Sequence, residues 1–494
     1  MTRSVSFSHW QPSGNAAPQP VYGIQPEVLM SSGILRNPNV PEQAYLRAKS
    51  LVRQGRYREA RSIVFPHIRT AAPDLRPHLA ELLAECALHG GGGDWEPLLA
   101  SALEAQTALD DALGAARVRT RLGAMHLVAG HLRLADQHLR QASHTYRDSH
   151  QLGRAAWVEC IRTRIRARAG LVIEAQQRIE RTLAAVVGRE PRVEALARLE
   201  RGRILGMRDD GNGAARELVL AEHVLGVSGN AAERLQTRIA RAEMLLALGA
   251  DTRAERGLRR LAVEVADLED VELRAMVAML LGQSLLDTEP ANARRSVLRA
   301  RHLFESIRAE YFVIWADVLL ARIEHRLGLH PGARLDTARA VSFAEWPLLR
   351  AELAIAVAEV EGRDTPEEAR DGLLVSRAFA NQHGNASMVR KIDAVLVATK
   401  LARDVDGLTP VNARERVPVV QGGSSVTQDT KRTVVDAVAH EAEAAAAMAK
   451  RESSKARPAP MAMSSSRSSE ARRVKPALRR PMRASRIGSQ AASS

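Results

Sequence analysis

The side chains able to do chemistry in this chain are few and scattered. Four histidines, His126, His131, His138 and His144, sit near one another at spacings of 5, 7 and 6. A tetrahedral zinc site needs four ligands brought to one point. These spacings do not fix such a site, and imidazoles packed in a core or bathed in solvent account for them. No GxxxxGK followed by Ser or Thr, no HExxH, no CxxC and no GxSxG occurs, so phosphate-loop, zinc-protease and nucleophile-elbow chemistry lack their residues. The stretch "HGGGGDW" (89–95) is rich in glycine but has no following lysine, and reads as a loop. Glu367 and Glu368 open a helix, where negative charge suits the helix dipole. No enzyme, metal or cofactor is expected. What remains is a supply of charged donors, including a basic tail, "ARRVKPALRRPMRASRIG" (471–488), with Arg472, Arg473, Lys475, Arg479, Arg480, Arg483 and Arg486. Clustered arginine of this kind suits sequence-independent contact with nucleic-acid phosphates or an anionic membrane. The tail has no aromatic residue, so base stacking is unavailable to it. A solvated, phosphorylatable tail explains the same residues.

The charge that could make such contacts is unevenly spread. The 494 residues carry a net +14, of which residues 451–494, with 11 Lys/Arg against 2 Asp/Glu, supply +9. Residues 404–450 carry −2, which leaves +7 for residues 1–403. Between Lys49 and Lys391 there is no lysine, so the body's cations are arginines. GC-rich coding or a demand for forked, bidentate contacts gives that result. Hydrophobic residues make up 45% and aromatics 3%, so the core must be Ala, Leu, Val and Ile. That composition suits closely packed helices rather than sandwiches or barrels. Cys86 and Cys160 form neither a disulfide framework nor a metal motif, and point to a reducing cytoplasm. The first twenty residues lack the apolar run of a signal peptide. No stretch approaches the roughly 18 apolar residues of a membrane span. A soluble, cytoplasmic protein is expected.

A repeat must position these residues. Ala135, Ala175, Ala214, Ala254, Ala293 and Ala333 follow one another at intervals of 40, 39, 40, 39 and 40. Ala60 lies 75 residues before Ala135, with room for a degenerate repeat around "GDWEPLLASALEAQ" (93–106), and Ala369 follows Ala333 by 36. A fixed period of this length means stacked supersecondary units. Small residues recur 12 before and 7 after each anchor, and larger apolar ones 4 after, which predicts two antiparallel helices in close approach. Glycine five before the anchor suits the left-handed residue that ends a helix. Pro290, Pro331 and Pro366 fall in the first turn of the second helix, where a missing N–H costs nothing. Pro66 falls inside a second helix and should shorten or kink it.

The expected organisation is a flexible segment over residues 1–40, with Phe7, Trp10 and Tyr22 as docking residues, then a repeat array over 41–403. Within the array, 381–403 reads as the closing helix that covers the last apolar face. A linker over 404–429, a lone helix over 430–452 and a disordered tail over 453–494 complete it; the tail holds 11 Ser and 4 Pro among its basic residues.

The repeats resemble the tetratricopeptide superfamily. "QGRYREAR" (54–61) matches that family's turn, with Gly55, Tyr57 and Ala60 at favoured places, and "RLGAMHLVAGHLRLADQHLRQA" (121–142) is similar. The longer period looks more like the repeats of bacterial regulators of the maltose-activator type, although their DNA-binding and ATPase modules are not recognisable. The resemblance covers roughly residues 42–403 and implies an all-α, right-handed superhelical array of eight to nine antiparallel helix pairs. It also implies that first helices line a concave face, placing Arg164, Arg168, Arg203, Glu243, Arg322 and Arg326 on that face or beside it. Such arginines favour acidic partner segments through charge-assisted bonds, and a solvated arginine face is the bland alternative. Trp157 and Trp315, near the starts of first helices, are expected to pack in the core. The function expected is a protein-binding scaffold. A transcription-linked regulator, whose repeats sense a partner and whose tail touches nucleic acid, is the alternative.

Overall fold

The computed structural model describes residues 40–401 apart from 93, 229 and 230. These residues belong to one unit of the chain. The leading segment, the linker, the lone helix and the tail expected from sequence therefore fall outside the described residues.

Nineteen α-helices and one 3-10 turn make up the described structure, with no strand among the described residues. They pair as α1 (Pro41–Arg53) with α2 (Tyr57–Val64), α3 (Arg76–Gly90) with α4 (Glu96–Ala108), α5 (Ala112–Ala129) with α6 (Leu132–Asp148), and α7 (Leu152–Arg168) with α8 (Val172–Val186). Then come α9 (Pro191–Met207) with α10 (Gly211–Ser228), α11 (Ala231–Ala247) with α12 (Asp251–Glu264), α13 (Val271–Ser284) with α14 (Pro290–Ser306), and α15 (Glu310–Arg326) with α16 (Gly332–Arg339). The ninth repeat is α17 (Pro347–Val360) with α18 (Pro366–Gln382), and α19 (Ala386–Ala398) closes the series. The described residues form an all-α array of consecutive helix pairs.

Sequence spacing explains the pairing. Ala135, Leu139, Ala142 and Tyr146 lie on one buried face of α6, and Ala293, Val297, Ala300 and Phe304 repeat that face in α14. Intervals of 4, 3 and 4 keep side chains on one stripe of a helix. The opposing first helix must then come close. A Cβ at Gly123 would lie 2.4 Å from Leu139 Cγ, and one at Gly202 would lie 2.7 Å from Leu218 Cγ. Inter-helix turns use the left-handed conformation five residues before the anchor, at Gly130 with φ 100° and Gly170 with φ 79°. In the Ala214 repeat, which has no glycine there, Asp209 adopts φ 67°.

Two anchors differ from the spacing. Ala333 is exposed, while Pro331, Leu335 and Ala338 are buried. The true anchor of the eighth repeat is Pro331, 38 residues from both Ala293 and Ala369. A proline at the helix start holds its ring in the core, and α16 is a short helix of 8 residues. In the degenerate second repeat Trp95, Leu99, Ala102 and Gln106 occupy the buried stripe, so an indole replaces the small anchor. Pro66 acts as expected: α2 stops at Val64 and Phe65–His67 is a 3-10 turn.

Distant repeats also touch. Tyr57 Oη donates to Asp270 Oδ2 at 3.3 Å, 213 residues away, and His89 Nδ1 lies 3.3 Å from the same oxygen. Trp346 Nε1 donates to the Gly130 carbonyl at 2.7 Å, across 216 residues. Ile173 N donates to the His383 carbonyl at 3.1 Å. The first repeats thus lie against the seventh, the third against the ninth, and the fourth against the turn that leads into the closing helix.

Candidate functional site

The inner faces of the first helices of repeats 4 to 9, together with α19, line a half-open cavity of about 640 Å³. Helix α19 is tied across it: Ser387 Oγ donates to the Ala247 carbonyl at 3.4 Å, Arg390 donates to the same carbonyl, and Arg390 pairs with Asp209 at 2.9 Å. Asn385 caps α19 by accepting from Met388 N at 3.1 Å. The side chains of Tyr311, Phe312 and Trp315 form an aromatic wall from α15, with Tyr311 and Phe312 edge to face at 5.2 Å.

Of the six residues placed inside by sequence, Arg164, Arg168, Arg203, Glu243 and Arg322 line this cavity. Arg326 does not; it pairs at 3.3 Å with Asp287, which does. The lining is not a bare cationic face, since six cationic side chains meet six carboxylates. Most are joined across neighbouring repeats. Arg164 Nε donates to Glu200 at 3.0 Å, and Arg203 joins both Glu200 at 2.8 Å and Glu243 at 3.2 Å. Arg322 grips Glu359 through two bonds of 2.7 and 2.9 Å, and Lys391 holds Glu352 at 2.6 Å. Burial alone would raise the Glu200 carboxyl, but Arg164 and Arg203 hold it below its ordinary range. Apart from Arg203–Glu200 within α9, these bonds span 36 to 40 residues, one repeat, so they lace successive first helices together.

Arg168 stands apart. It donates to the Leu127 carbonyl at 2.6 Å, and its guanidinium carbon lies 4.7 Å from the Phe312 ring centroid and 5.3 Å from that of Tyr311. Ring faces attract a cation without neutralising it. Burial lowers the pKa of this guanidinium. Glu272, two residues beyond the cap of α13, also lines the cavity. Burial pushes its carboxyl up, and the Asp270 charge pushes the same way against the pull of His89, Arg164 and Arg168. Sequence reasoning did not single out Glu272.

The remaining sequence candidates lie elsewhere. His126, His131 and His138 do gather: the first and third stack at 5.6 Å, and the first two bring their Nδ1 atoms to 3.4 Å. Trp95 meets His126 edge-on at 5.1 Å. Burial, then the neighbouring imidazoles, lowers His126 to about 4. His144 is separate and pairs with Asp148 at 2.7 Å. Among the described residues no group of His, Cys, Asp and Glu has the arrangement of a metal site. Trp315 is half-buried against the core, but Trp157 is 40% exposed, contrary to its expected packing, because its side of α7 is left uncovered. Glu367 and Glu368 sit in the first turn of α18. Cys86 and Cys160 are free and buried, and burial raises the first to about 12. No helix among the described residues is long and apolar enough to cross a membrane. The seven basic residues of the tail lie outside the described residues.

No family model and no curated protein compared with the chain matches it. Among solved structures it is similar to a Rap protein in complex with competence and sporulation factor, at 14% identity and a TM-score of 0.38, over 74% of this chain and 99% of that one. It is also similar to a circular tandem repeat protein of novel repeat topology, at 15% identity and a TM-score of 0.13, over 84% of this chain and 91% of that one.

Proposed function

We propose that the chain is a non-enzymatic interaction scaffold that holds a linear segment of a partner protein inside the array. The observation that carries this is the cavity of about 640 Å³, built from the inner faces of six successive repeats and walled on one side by aromatic rings. Pockets that hold ligands run to roughly 300–1,000 Å³. A folded domain does not fit there, whereas an extended segment does. Arg164, Arg168, Arg203 and Arg322 face that segment, with Arg326 next to them, and suit carboxylates on the partner, while Glu243 suits a cation.

Gly206 offers the test. It lines the cavity, and a Cβ there would meet Met244 at an ordinary 3.6 Å. A Cβ is therefore accommodated at Gly206, and Gly206→Leu removes a helix-interior glycine and adds bulk where α9 meets the cavity. The partner crosslinked to the wild-type, full-length protein should bind this variant at least tenfold more weakly, at an unchanged melting temperature. Equal binding places the partner elsewhere on the array.

A second reading adds the tail. Its net +9 and the 39–40-residue period, like that of maltose-activator-type regulators, favour a transcription-linked regulator with residues 453–494 on nucleic acid. Each phosphate neutralised adds about −0.9 to the log–log salt slope on duplex DNA. A duplex shifted at low salt, released at physiological salt and lost on deletion of 453–494 supports this reading. No shift with DNA or RNA at low salt removes it.

A further inference from the structure

The interior charges separate into two kinds. Among the charged described residues lining the cavity, all but three are joined in salt bridges to other helices. The three are Arg168, Glu272 and Asp251, and Asp251 is exposed in the first turn of α12. Arg168 and Glu272 are part-buried and of opposite sign, and they belong to helices α7 and α13. They are not bridged to one another.

Arg168 is held where it is. The Leu127 carbonyl takes one N–H of Arg168, and the Phe312 and Tyr311 rings take its face. A guanidinium has five N–H donors in a fixed fork, so most of this one's donors are left for another acceptor. Glu272 forms no salt bridge, and the neighbouring cation His89 is engaged with Asp270 at 3.3 Å. Asp270 in turn accepts from Leu273 N at 3.1 Å and from Tyr57. An unpaired charge out of water is costly, and a counter-charge that arrives with a ligand removes that cost. Two opposite charges kept apart by a rigid frame are preorganised for a molecule that carries both. Tyr311, Phe312 and Trp315 line the same cavity.

We propose that the cavity is a two-pole site, in which one short peptide places a carboxylate on Arg168 and a lysine or arginine cation on Glu272, with apolar side chains along Tyr311 and Trp315. This rests on the reading of the cavity as a peptide site, and it names the segment's chemistry. A peptide fits better than a small zwitterion, because the free charges lie on separate helices with an apolar surface alongside. An all-acidic segment would satisfy Arg168 and meet Glu272 with repulsion.

Four pools of hexapeptides with capped termini and apolar interiors provide the test with the full-length protein. One pool carries one glutamate and one lysine at varied spacing, one carries two glutamates, one carries two lysines, and one is neutral. Equilibrium dialysis should show the mixed pool retained most strongly. Arg168→Met should weaken the mixed pool roughly 10- to 100-fold, the range for a charged hydrogen bond, and bring it level with the two-lysine pool. Glu272→Gln should bring it level with the two-glutamate pool. Arg168→Lys should recover part of the loss by restoring charge without the fork. Glu272→Gln changes one atom, so it carries the test should Arg168→Met fail to fold. Free amino acids and polyamines, run as competitors, should not displace the mixed pool; displacement would replace the peptide by a small zwitterion. If the mixed pool binds wild type and both variants equally, and Gly206→Leu blocks it, the two-pole site is wrong while the peptide cavity stands. If no pool binds wild type, both fall.

Discussion

The flank between the third and fourth repeats and the interior cavity are built from the same residue types, yet they treat charge in opposite ways. On the flank, Arg162 is buried between Asp136 at 2.9 Å and Glu159 at 3.1 Å. Asp136 also receives Arg140 and Arg166, and Glu159 receives Arg147, Arg178 and the Ser143 hydroxyl. Each carboxylate there meets several donors. Inside, Arg168 and Glu272 meet no opposite charge within bonding distance among the described residues. A framework satisfies its buried ions from within the chain, while a binding site leaves some for its ligand. Arginine content alone does not distinguish the two.

The largest expected effect breaks the framework. Arg162→Met strands two buried carboxylates and should cost about 3–5 kcal/mol, read as a lowered midpoint in urea. A loss below about 1 kcal/mol would make the flank as dispensable as a surface pair. Reversal at Arg164 or Arg203 should also lower stability, since Glu200 is buried between them. Their effect on binding is therefore cleanly read only beside a melting curve.

Steric framework comes next. Ala135→Leu and Ala254→Leu overpack fully buried anchors and should each cost about 1–3 kcal/mol. Ala333→Leu, at the exposed position, should stay within about 0.5 kcal/mol. Equal thermal shifts at all three would return the anchor of the eighth repeat to Ala333.

The histidines repeat the comparison in titratable form. Against the penalty of burial, Asp270 raises His89 to about 9. A raised folded pKa means stability present below the unfolded value of about 6.5 and lost as pH rises towards about 9. His126 and His138, which lack such a partner, are lowered by burial. Their stability is present above the unfolded pKa and lost as pH falls through 6.5 towards about 4. Melting temperature against pH should therefore fall on both sides. His89→Gln should flatten the alkaline limb and His126→Gln the acid one; a limb that survives its substitution belongs to other groups.

The smallest effect on stability is expected at Arg168. Arg168→Met should change unfolding by about 1 kcal/mol or less, because a cation–π contact is worth about 0.5–2 kcal/mol and a desolvated charge is relieved. A loss as large as that of Arg162→Met would assign Arg168 to the framework.

Much of this was legible in the sequence, residue by residue. The 39–40 spacing of Ala135 to Ala293 gave the helix pairs, because a small anchor is what lets two helices approach. Proline at 331 defeated that rule: its ring can itself fill the anchor place, and spacing cannot tell it from a helix-start proline two residues earlier. Trp95 hid the second repeat for a similar reason. Arg168 can be found by subtraction. Arg164, Arg203 and Arg322 each have a glutamate 36 to 40 residues on, whereas residues 204–208 after Arg168 include none. Glu272 could not be found this way. Arg234 and Arg308 stand at suitable distances, yet the first is exposed and the second pairs with Asp94. Helix rotation decides that, and periodicity does not report it.

The contacts between repeats more than two hundred residues apart have a consequence for how the chain folds. In an open solenoid each repeat answers to its neighbours, so stability is nearly additive and folding can begin anywhere. Here Asp270 must wait for Tyr57 and His89, and Gly130 for Trp346, before the successive turns lock. Contacts of such sequence separation slow folding and make it more all-or-none. An array that would otherwise fray repeat by repeat is made to melt as one body, and removing the first two repeats should loosen the seventh.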